Sequence, residues 1–125
     1  TQGALEGFTQ LINRFPKNPF IGQAKIKKAE CELKLAQNVL EIGKFYYRTG
    51  SYQSAISRLK SLMTEHPQQK FLDEAMFLIA ESYYHEQNFG EASISYKKLL
   101  KKYPRSKFSL QARSRLRTLH KQPTS

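Results

Sequence analysis

The sequence has no tryptophan, a single cysteine and no acidic residue beyond Glu91. One cysteine cannot form an intramolecular disulfide, so the chain is not a disulfide-stapled mini-protein. No stretch approaches the roughly 20 consecutive apolar residues that a membrane-spanning helix needs, which argues against such a helix in this sequence. With 125 residues, 12% of them aromatic, the chain is nonetheless long enough to bury one core of ordinary domain size.

The missing acidic residues make the charge of the chain lopsided. The formal net charge is +11 at pH 7, and ten of the 21 basic residues lie beyond Glu91. Such a segment predicts an anionic partner, namely nucleic acid, phospholipid head groups or an acidic protein surface, or else a solvated helix face. The candidate basic surface consists of Lys97, Lys98, Lys101, Lys102, Arg105, Arg113 and Arg117.

An internal repeat organises the chain. Pro16, Pro67 and Pro104 each follow an aromatic residue or a histidine, and the last two are 37 residues apart. Around each proline, alanine stands 12 residues before and eight after, and phenylalanine stands four after. Repeats of about this length are typical of stacked helical hairpins.

Each repeat unit is predicted to be two helices. Apolar residues recur at helical spacing on either side of a break at 50–51 in one unit and at 87–88 in the next. Gly43 and Ala55, and the equivalent alanines 37 residues later, are small enough to let the two helices of a hairpin cross closely. The aromatic residues at the remaining apolar positions are therefore predicted to pack in a core and not to form a cofactor site.

One helix is predicted to be much longer than the others. Pro16 and Pro67 are 51 residues apart, which is 14 more than the other interval. Fourteen residues make about four helical turns, so the insertion lengthens a helix without rotating its apolar face. We predict one helix over about 20–48, and an amphipathic capping helix after Pro104.

These patterns predict an all-α fold, a tetratricopeptide-like helical-hairpin solenoid. We expect a single domain over residues 1–121 and a frayed tail at 122–125. Residues 1–15 align with the second helix of a unit whose first helix is missing. We therefore expect the sequence to be a fragment that starts in mid-repeat, with any targeting signal upstream.

No residue pattern in the sequence supports catalysis. His66, His85 and His120 do not form an i,i+4 pair, and Cys31 has no histidine at helical spacing, so neither suggests a metal site. No glycine-rich phosphate loop and no nucleophile motif is present. We predict a non-enzymatic protein without metal or cofactor, in which Cys31 is a buried or half-exposed thiol.

A protein-binding face is a better candidate for the functional site. In stacked hairpins the first helices line the concave face, where mixed aromatic and charged side chains suit an extended peptide or a partner's loop. The alternative is a solvated face with ordinary helix packing. The positions predicted to be exposed there are Leu40, Lys44, Tyr47, Arg48, Glu74, Phe77, Glu81, Tyr84 and His85.

Two sequence patterns carry a resemblance to known families. Gly43, Tyr46 and Ala55, followed by a proline, match the tetratricopeptide pattern, which is specific for the fold and says little about function. Residues 35–58, which include EIGKFYYRTGSYQSAISR, resemble the C-terminal part of the BamD family of outer-membrane assembly lipoproteins, also called YfiO and formerly ComL. The resemblance covers roughly residues 3–118.

The resemblance implies a periplasmic scaffold at the outer membrane, held there by a lipidated cysteine upstream of this fragment. In that family the C-terminal repeats dock the periplasmic domains of the barrel-forming subunit BamA, and Arg58 occupies the position of an arginine that contacts it. Other assembly lipoproteins and unfolded outer-membrane protein segments are further implied partners. The Tol-associated repeat protein CpoB is a near neighbour, but the lengthened helix argues against it.

A second hypothesis remains open beside the scaffold. The basic C-terminal region predicts binding to nucleic acid or to an anionic surface, as in competence-type DNA uptake. No exposed aromatic residue interleaves its basic stripe, as binding to single strands would favour.

Overall fold

The computed structural model describes residues 2–14 and 20–121, which form six α-helices and, within those ranges, no strand. The prediction of an all-α fold is confirmed. Pro16 and the predicted frayed tail at 122–125 lie outside the described residues. The helices are α1 Gln2–Arg14, α2 Ile21–Arg48, α3 Tyr52–Glu65, α4 Leu72–His85, α5 Phe89–Lys102 and α6 Ser109–Lys121.

The chain divides into two compact units, residues 1–39 and 40–125. In the first unit α1 buries no residue, whereas α2 buries Ala24 and Ala36. The remaining buried apolar residues all belong to the second unit. A single domain over residues 1–121 stays a prediction.

Helix α2 confirms the predicted long helix, since it runs from Ile21 to Arg48. Its 28 residues extend for about 42 Å at the usual rise of 1.5 Å per residue. Two ion pairs one turn apart, the exposed Lys27–Glu30 at 3.6 Å and the half-exposed Lys28–Glu32 at 4.0 Å, add modest support along its first half.

In the second unit the helices pack in chain order, α3 on α4, α4 on α5 and α5 on α6. Helix α2 contacts α3 tightly at Gly43, where an added Cβ would lie 2.6 Å from Cδ2 of Leu59. Leu59 is fully buried. A glycine at position 43 therefore lets α2 sit directly against this leucine, as the small-residue pattern predicted.

The two hairpin turns have the same geometry 37 residues apart. Gly50 and Gln87 both have positive φ, +83° and +63°. The Gly50 N–H donates to the Tyr47 carbonyl at 3.2 Å, and the Gln87 N–H donates to the Tyr84 carbonyl at 3.0 Å. In each turn the next N–H also bonds five residues back, which completes a Schellman motif that ends the first helix.

The second helix of each hairpin ends just before its proline. His66 and Tyr103, which precede Pro67 and Pro104, have φ near −131° and so leave the helical region. The terminal helix α6 packs on α5 and buries Ala112, which confirms the predicted capping helix. The repeat pattern therefore sets where both hairpins turn and where they stop.

Candidate functional site

Five aromatic side chains lie where the first helices of the two hairpins end and the second helices begin. We call this group the aromatic edge; it consists of Tyr47, Tyr52, Tyr84, His85 and Phe89. The Tyr47 and Tyr52 rings form a T-shaped pair with centroids 5.8 Å apart and planes at 66°. Tyr84 and Phe89, their repeat equivalents, form a pair at 5.7 Å and 64°. The repeat therefore builds the same aromatic pair twice.

His85 joins the two pairs into one strip. Its ring stacks on Tyr52 at 5.4 Å and lies 5.9 Å from Tyr47 and 5.6 Å from Tyr84. His85 is exposed, and the four other rings are half-buried. Tyr47, Tyr84 and His85 were among the predicted site residues, whereas Tyr52 and Phe89 were missed. The repeat itself is the signal that could have found them, because positions 47 and 52 are aromatic and so are the positions 37 residues later, 84 and 89.

Charged residues beside the aromatic edge differ in how far they are already paired. Lys44 bridges Glu41 at 3.8 Å and Glu74 at 3.2 Å, so it joins α2 to α4. Arg48 is exposed at the last residue of α2. Burial and the negative charge of Glu81 raise the pKa of Tyr47 above its ordinary value, so this phenol stays neutral at physiological pH.

Arg58 lies on α3, is exposed, and forms no ion pair with any residue that the structure describes. It is two residues from Ile56 and one from Leu59, which both face the core. Its guanidinium is thus held on the outer side of α3 and keeps its full hydrogen-bonding capacity for a partner.

The prediction that Glu81 is exposed is wrong, since only 6% of the residue is accessible. Its carboxylate accepts hydrogen bonds from the Arg115 guanidinium, at 2.9 Å from Nε and 3.2 Å from Nη2, and from the Tyr96 hydroxyl. The Arg115 guanidinium also lies 3.9 Å from the centre of the Tyr84 ring. A buried carboxylate is tolerated here because α5 and α6 supply its donors.

Leu40 and Phe77 were also predicted to be exposed, and both are buried. Phe77 stacks on Phe108, which precedes α6, with ring centroids 4.9 Å apart, and lies 6.2 Å from the Tyr96 ring. Leu40 is three residues before Gly43, on the α2 face that approaches α3. The part of the predicted α4 face that holds Phe77 and Glu81 is therefore covered by α6 and by Phe108 just before it.

The predicted basic surface is exposed at all seven of its positions. Of the ten basic residues between 97 and 121, only Arg115 forms a salt bridge within the described part of the chain. Lys102 lies over the Tyr103 ring at 5.5 Å, and Lys107 over the Phe108 ring at 5.3 Å. The α5–α6 region thus carries a positive surface whose cations, apart from Arg115, form no salt bridge with a described residue.

Residues 2–14 and 20–121 contain neither a metal-binding cluster nor a candidate membrane-spanning helix. No group of three or more His, Cys, Asp or Glu side chains is placed to hold a metal ion. No helix in those ranges is both long and apolar enough to cross a membrane. Cys31 is half-exposed, as expected.

Two hairpins with equivalent turns and equivalent aromatic pairs, followed by a terminal helix, define a tetratricopeptide-like helical-repeat protein. The chain belongs to the YfiO family of outer membrane lipoproteins, whose family model matches residues 1–93. The resemblance seen in residues 35–58 is confirmed by this match.

Three curated relatives show the extent of the similarity, and each is named outer membrane protein assembly factor BamD. The Haemophilus influenzae protein is 30% identical over 80 residues, which cover 64% of this chain and 30% of that protein. The Caulobacter vibrioides protein is 28% identical over 83 residues, 66% of this chain and 27% of the relative. The Pasteurella multocida protein is 27% identical over 82 residues, which cover 66% of this chain and 32% of that protein. The chain thus matches about 30% of the length of these relatives.

Proposed function

We propose that this chain is a non-catalytic interaction module of the outer-membrane β-barrel assembly machinery. It docks the periplasmic domains of the barrel-forming subunit BamA at the periplasmic face of the outer membrane. Family membership and the name of the relatives, outer membrane protein assembly factor, support this assignment. The observation that carries it is the exposed Arg58, which has no ion-pair partner among the described residues.

An unpaired, exposed arginine suits recognition of a carboxylate on a partner. The planar guanidinium binds a carboxylate through two parallel hydrogen bonds, which gives direction as well as affinity. Because no acidic residue in the described ranges forms an ion pair with Arg58, its hydrogen bonds to a carboxylate form only when a partner supplies one. We infer that this arginine fixes the orientation of the docked subunit.

The aromatic edge supplies the apolar part of the interface. Aromatic residues and arginine dominate binding energy at protein interfaces, and half-buried rings lose little conformational freedom on binding. The strip that joins Tyr52 to Tyr84 through His85 is long enough to contact several residues of an extended segment. Other assembly lipoproteins and unfolded outer-membrane protein segments are further ligands for this edge.

The test is a binding titration of the chain against the periplasmic domains of the cognate barrel subunit. We expect Arg58→Ala to weaken binding at least about tenfold, the effect of losing roughly 1.4 kcal/mol. Arg113→Ala removes the same charge from α6 and should leave the affinity within about twofold. Equal affinities for the wild type and Arg58→Ala would contradict the proposed docking mode.

A second candidate function rests on the basic surface, whose cations have no acidic partner in the described chain. Five or six phosphate contacts on duplex DNA would give a slope of about −5 for log K against log salt. Under the scaffold proposal, DNA binding is weak and is lost by about 200 mM salt. Tight DNA binding with that slope, together with no binding to the barrel subunit, would favour the nucleic-acid function instead.

A further inference from the structure

A pocket of about 270 Å³ lies among α3, α4 and α5, away from the aromatic edge. Its apolar lining is formed by Met63, Met76 and Ile79. Met76 and Ile79 are buried core residues, and Met63 is half-buried. Methionine side chains are flexible and polarisable, so such a lining adapts to apolar side chains of different shape.

The mouth of the pocket carries positive charge. Lys60 and Lys98 line it from α3 and α5, and both are exposed. Neither lysine forms an ion pair with a residue in the ranges that the structure describes. Lys60 donates one hydrogen bond to the Tyr83 hydroxyl at 2.8 Å, which holds its ammonium in place and leaves two N–H donors.

Hydroxyl groups complete the lining. Thr64 on α3 and Ser95 on α5 contribute one each. The Thr64 hydroxyl donates a hydrogen bond to the Lys60 carbonyl at 3.1 Å, so its oxygen can still accept one from a partner's N–H. The pocket therefore combines an apolar interior with two cations and hydrogen-bonding groups at its opening.

We propose that this pocket is a second protein-docking site, which holds one large apolar side chain of a partner flanked by acidic residues. The partner's apolar side chain enters between Met63 and Met76, and its carboxylates pair with Lys60 and Lys98. This site is separate from the surface assigned to the barrel subunit, because Arg58 is two residues before Lys60 and so points about 160° away around α3.

Size and chemistry favour a protein segment over other anionic ligands. The volume lies just below the roughly 300–1,000 Å³ of sites for drug-sized molecules, which suits one side chain better than a pair of acyl chains. None of the lining residues is aromatic, so a nucleic-acid base would find no stacking surface. The two lysines at the mouth favour a partner whose flanking residues are acidic.

The two methionines allow a direct test, because they are the only ones in the chain and both line the pocket. The chain is labelled with [13C-methyl]methionine and titrated with the peptide acetyl-Gly-Asp-Leu-Glu-Asp-Gly-amide while both methyl resonances are followed by NMR. We expect saturable shifts of both, with a Kd of about 0.1–1 mM for this single-anchor peptide. Replacing leucine with alanine in the peptide, or its acids with amides, should weaken binding at least about fivefold.

Matched variants separate the pocket from general electrostatics. Lys60→Ala and Lys98→Ala should each weaken peptide binding about threefold or more, and Ser95→Tyr should block it by filling the opening. Lys97→Ala and Arg58→Ala remove the same charge from α5 and α3 outside the pocket and should change the affinity less than twofold. Circular dichroism establishes that each variant is folded before its affinity is compared.

Several results would overturn the proposal. Methyl resonances that do not respond to the peptide, or that respond equally to its alanine version, would show that the pocket does not select an acid-flanked apolar side chain. Shifts of both methyls by dihexanoyl-phosphatidylglycerol or by a ten-residue oligo-dT, stronger than those by the peptide, would assign the pocket to lipid or nucleic acid. Because the barrel subunit is absent from this experiment, its outcome is independent of the Arg58 test.

Discussion

Arg115 of α6 donates two hydrogen bonds to Glu81 of α4, at 2.9 Å from Nε to Oε2 and 3.2 Å from Nη2 to Oε1. The same guanidinium covers the Tyr84 ring at 3.9 Å. One side chain therefore anchors the terminal helix to the hairpin before it and supports one ring of the aromatic edge. Damage to this contact should loosen α6 and disturb the edge together.

Arg115→Met should lower the free energy of unfolding by about 2–3 kcal/mol, because it leaves the Glu81 carboxylate buried with only the Tyr96 hydroxyl. The loss is smaller than for a fully buried pair, since the Arg115 side chain is 33% exposed. Urea denaturation measures it. In a double-mutant cycle with Glu81→Gln we expect a coupling of about 1–3 kcal/mol. Additive losses would show that the two residues act separately.

Stability should fall steeply above pH 10 because of Tyr96. Burial, and then the hydrogen bond and charge of Glu81, raise the pKa of this phenol far above its ordinary value. The folded chain therefore keeps a proton that the unfolded chain loses above about pH 10, and each further pH unit costs about 1.4 kcal/mol. Below pH 10 both states hold the proton, and the group adds no pH dependence.

Tyr96→Phe is the control for that pH effect. It removes the titrating phenol, so its free energy of unfolding should decline less between pH 9 and pH 11 than that of the wild type, even if it is lower at neutral pH. Urea unfolding curves at both pH values give the comparison. Parallel declines in the two proteins would exclude Tyr96 as the source.

The two hairpin turns predict substitutions of opposite sign. Gly50→Ala should lower the free energy of unfolding by about 1 kcal/mol, since φ is +83° and alanine resists the left-handed region. No atom lies within 4 Å of the added Cβ, so the cost is purely one of backbone conformation. Gln87→Gly, at the equivalent turn with φ +63°, should raise stability by a similar amount. Thermal denaturation of both variants checks the signs; equal signs would contradict the equivalence.

Gly43→Ala should destabilise the first hairpin, because the new Cβ would lie 2.6 Å from Cδ2 of the fully buried Leu59. Overpacking costs about 1–3 kcal/mol, which exceeds the roughly 1 kcal/mol that alanine gains over glycine in helix propensity. Gly90→Ala in α5 is the control, since a Cβ there meets nothing within 4 Å. Chemical denaturation that ranks the two variants alike would remove Gly43 as a close-packing site.

The fold was largely predictable because its signals are local and repeated. The interval between Pro67 and Pro104 set the hairpin period, and the 14 extra residues before Pro67 predicted the length of α2. Turns at 50–51 and 87–88 followed from breaks in helical periodicity. Each of these features follows from spacings along the chain and does not depend on how the helices pack.

The burial of the site residues was not predictable in the same way. Glu81 is covered by Arg115, 34 residues later, and Phe77 by Phe108, so their environment depends on where the terminal helix docks. Periodicity gives the face of α4 on which they lie but not what covers it. The pocket at Met63 and Met76 likewise arises from side-chain sizes on three helices, which no short motif records.

Photocrosslinking from position 58 in cells is the sharpest test of the proposal that the barrel-forming subunit docks on the outer side of α3. The full-length protein carries benzoylphenylalanine in place of Arg58, with the same residue in place of Arg113 as the reference site. We expect a crosslink to the periplasmic domains of the barrel-forming subunit from position 58 and little from position 113. Crosslinks to that subunit from position 113 alone, or to nucleic acid from either position, would contradict it.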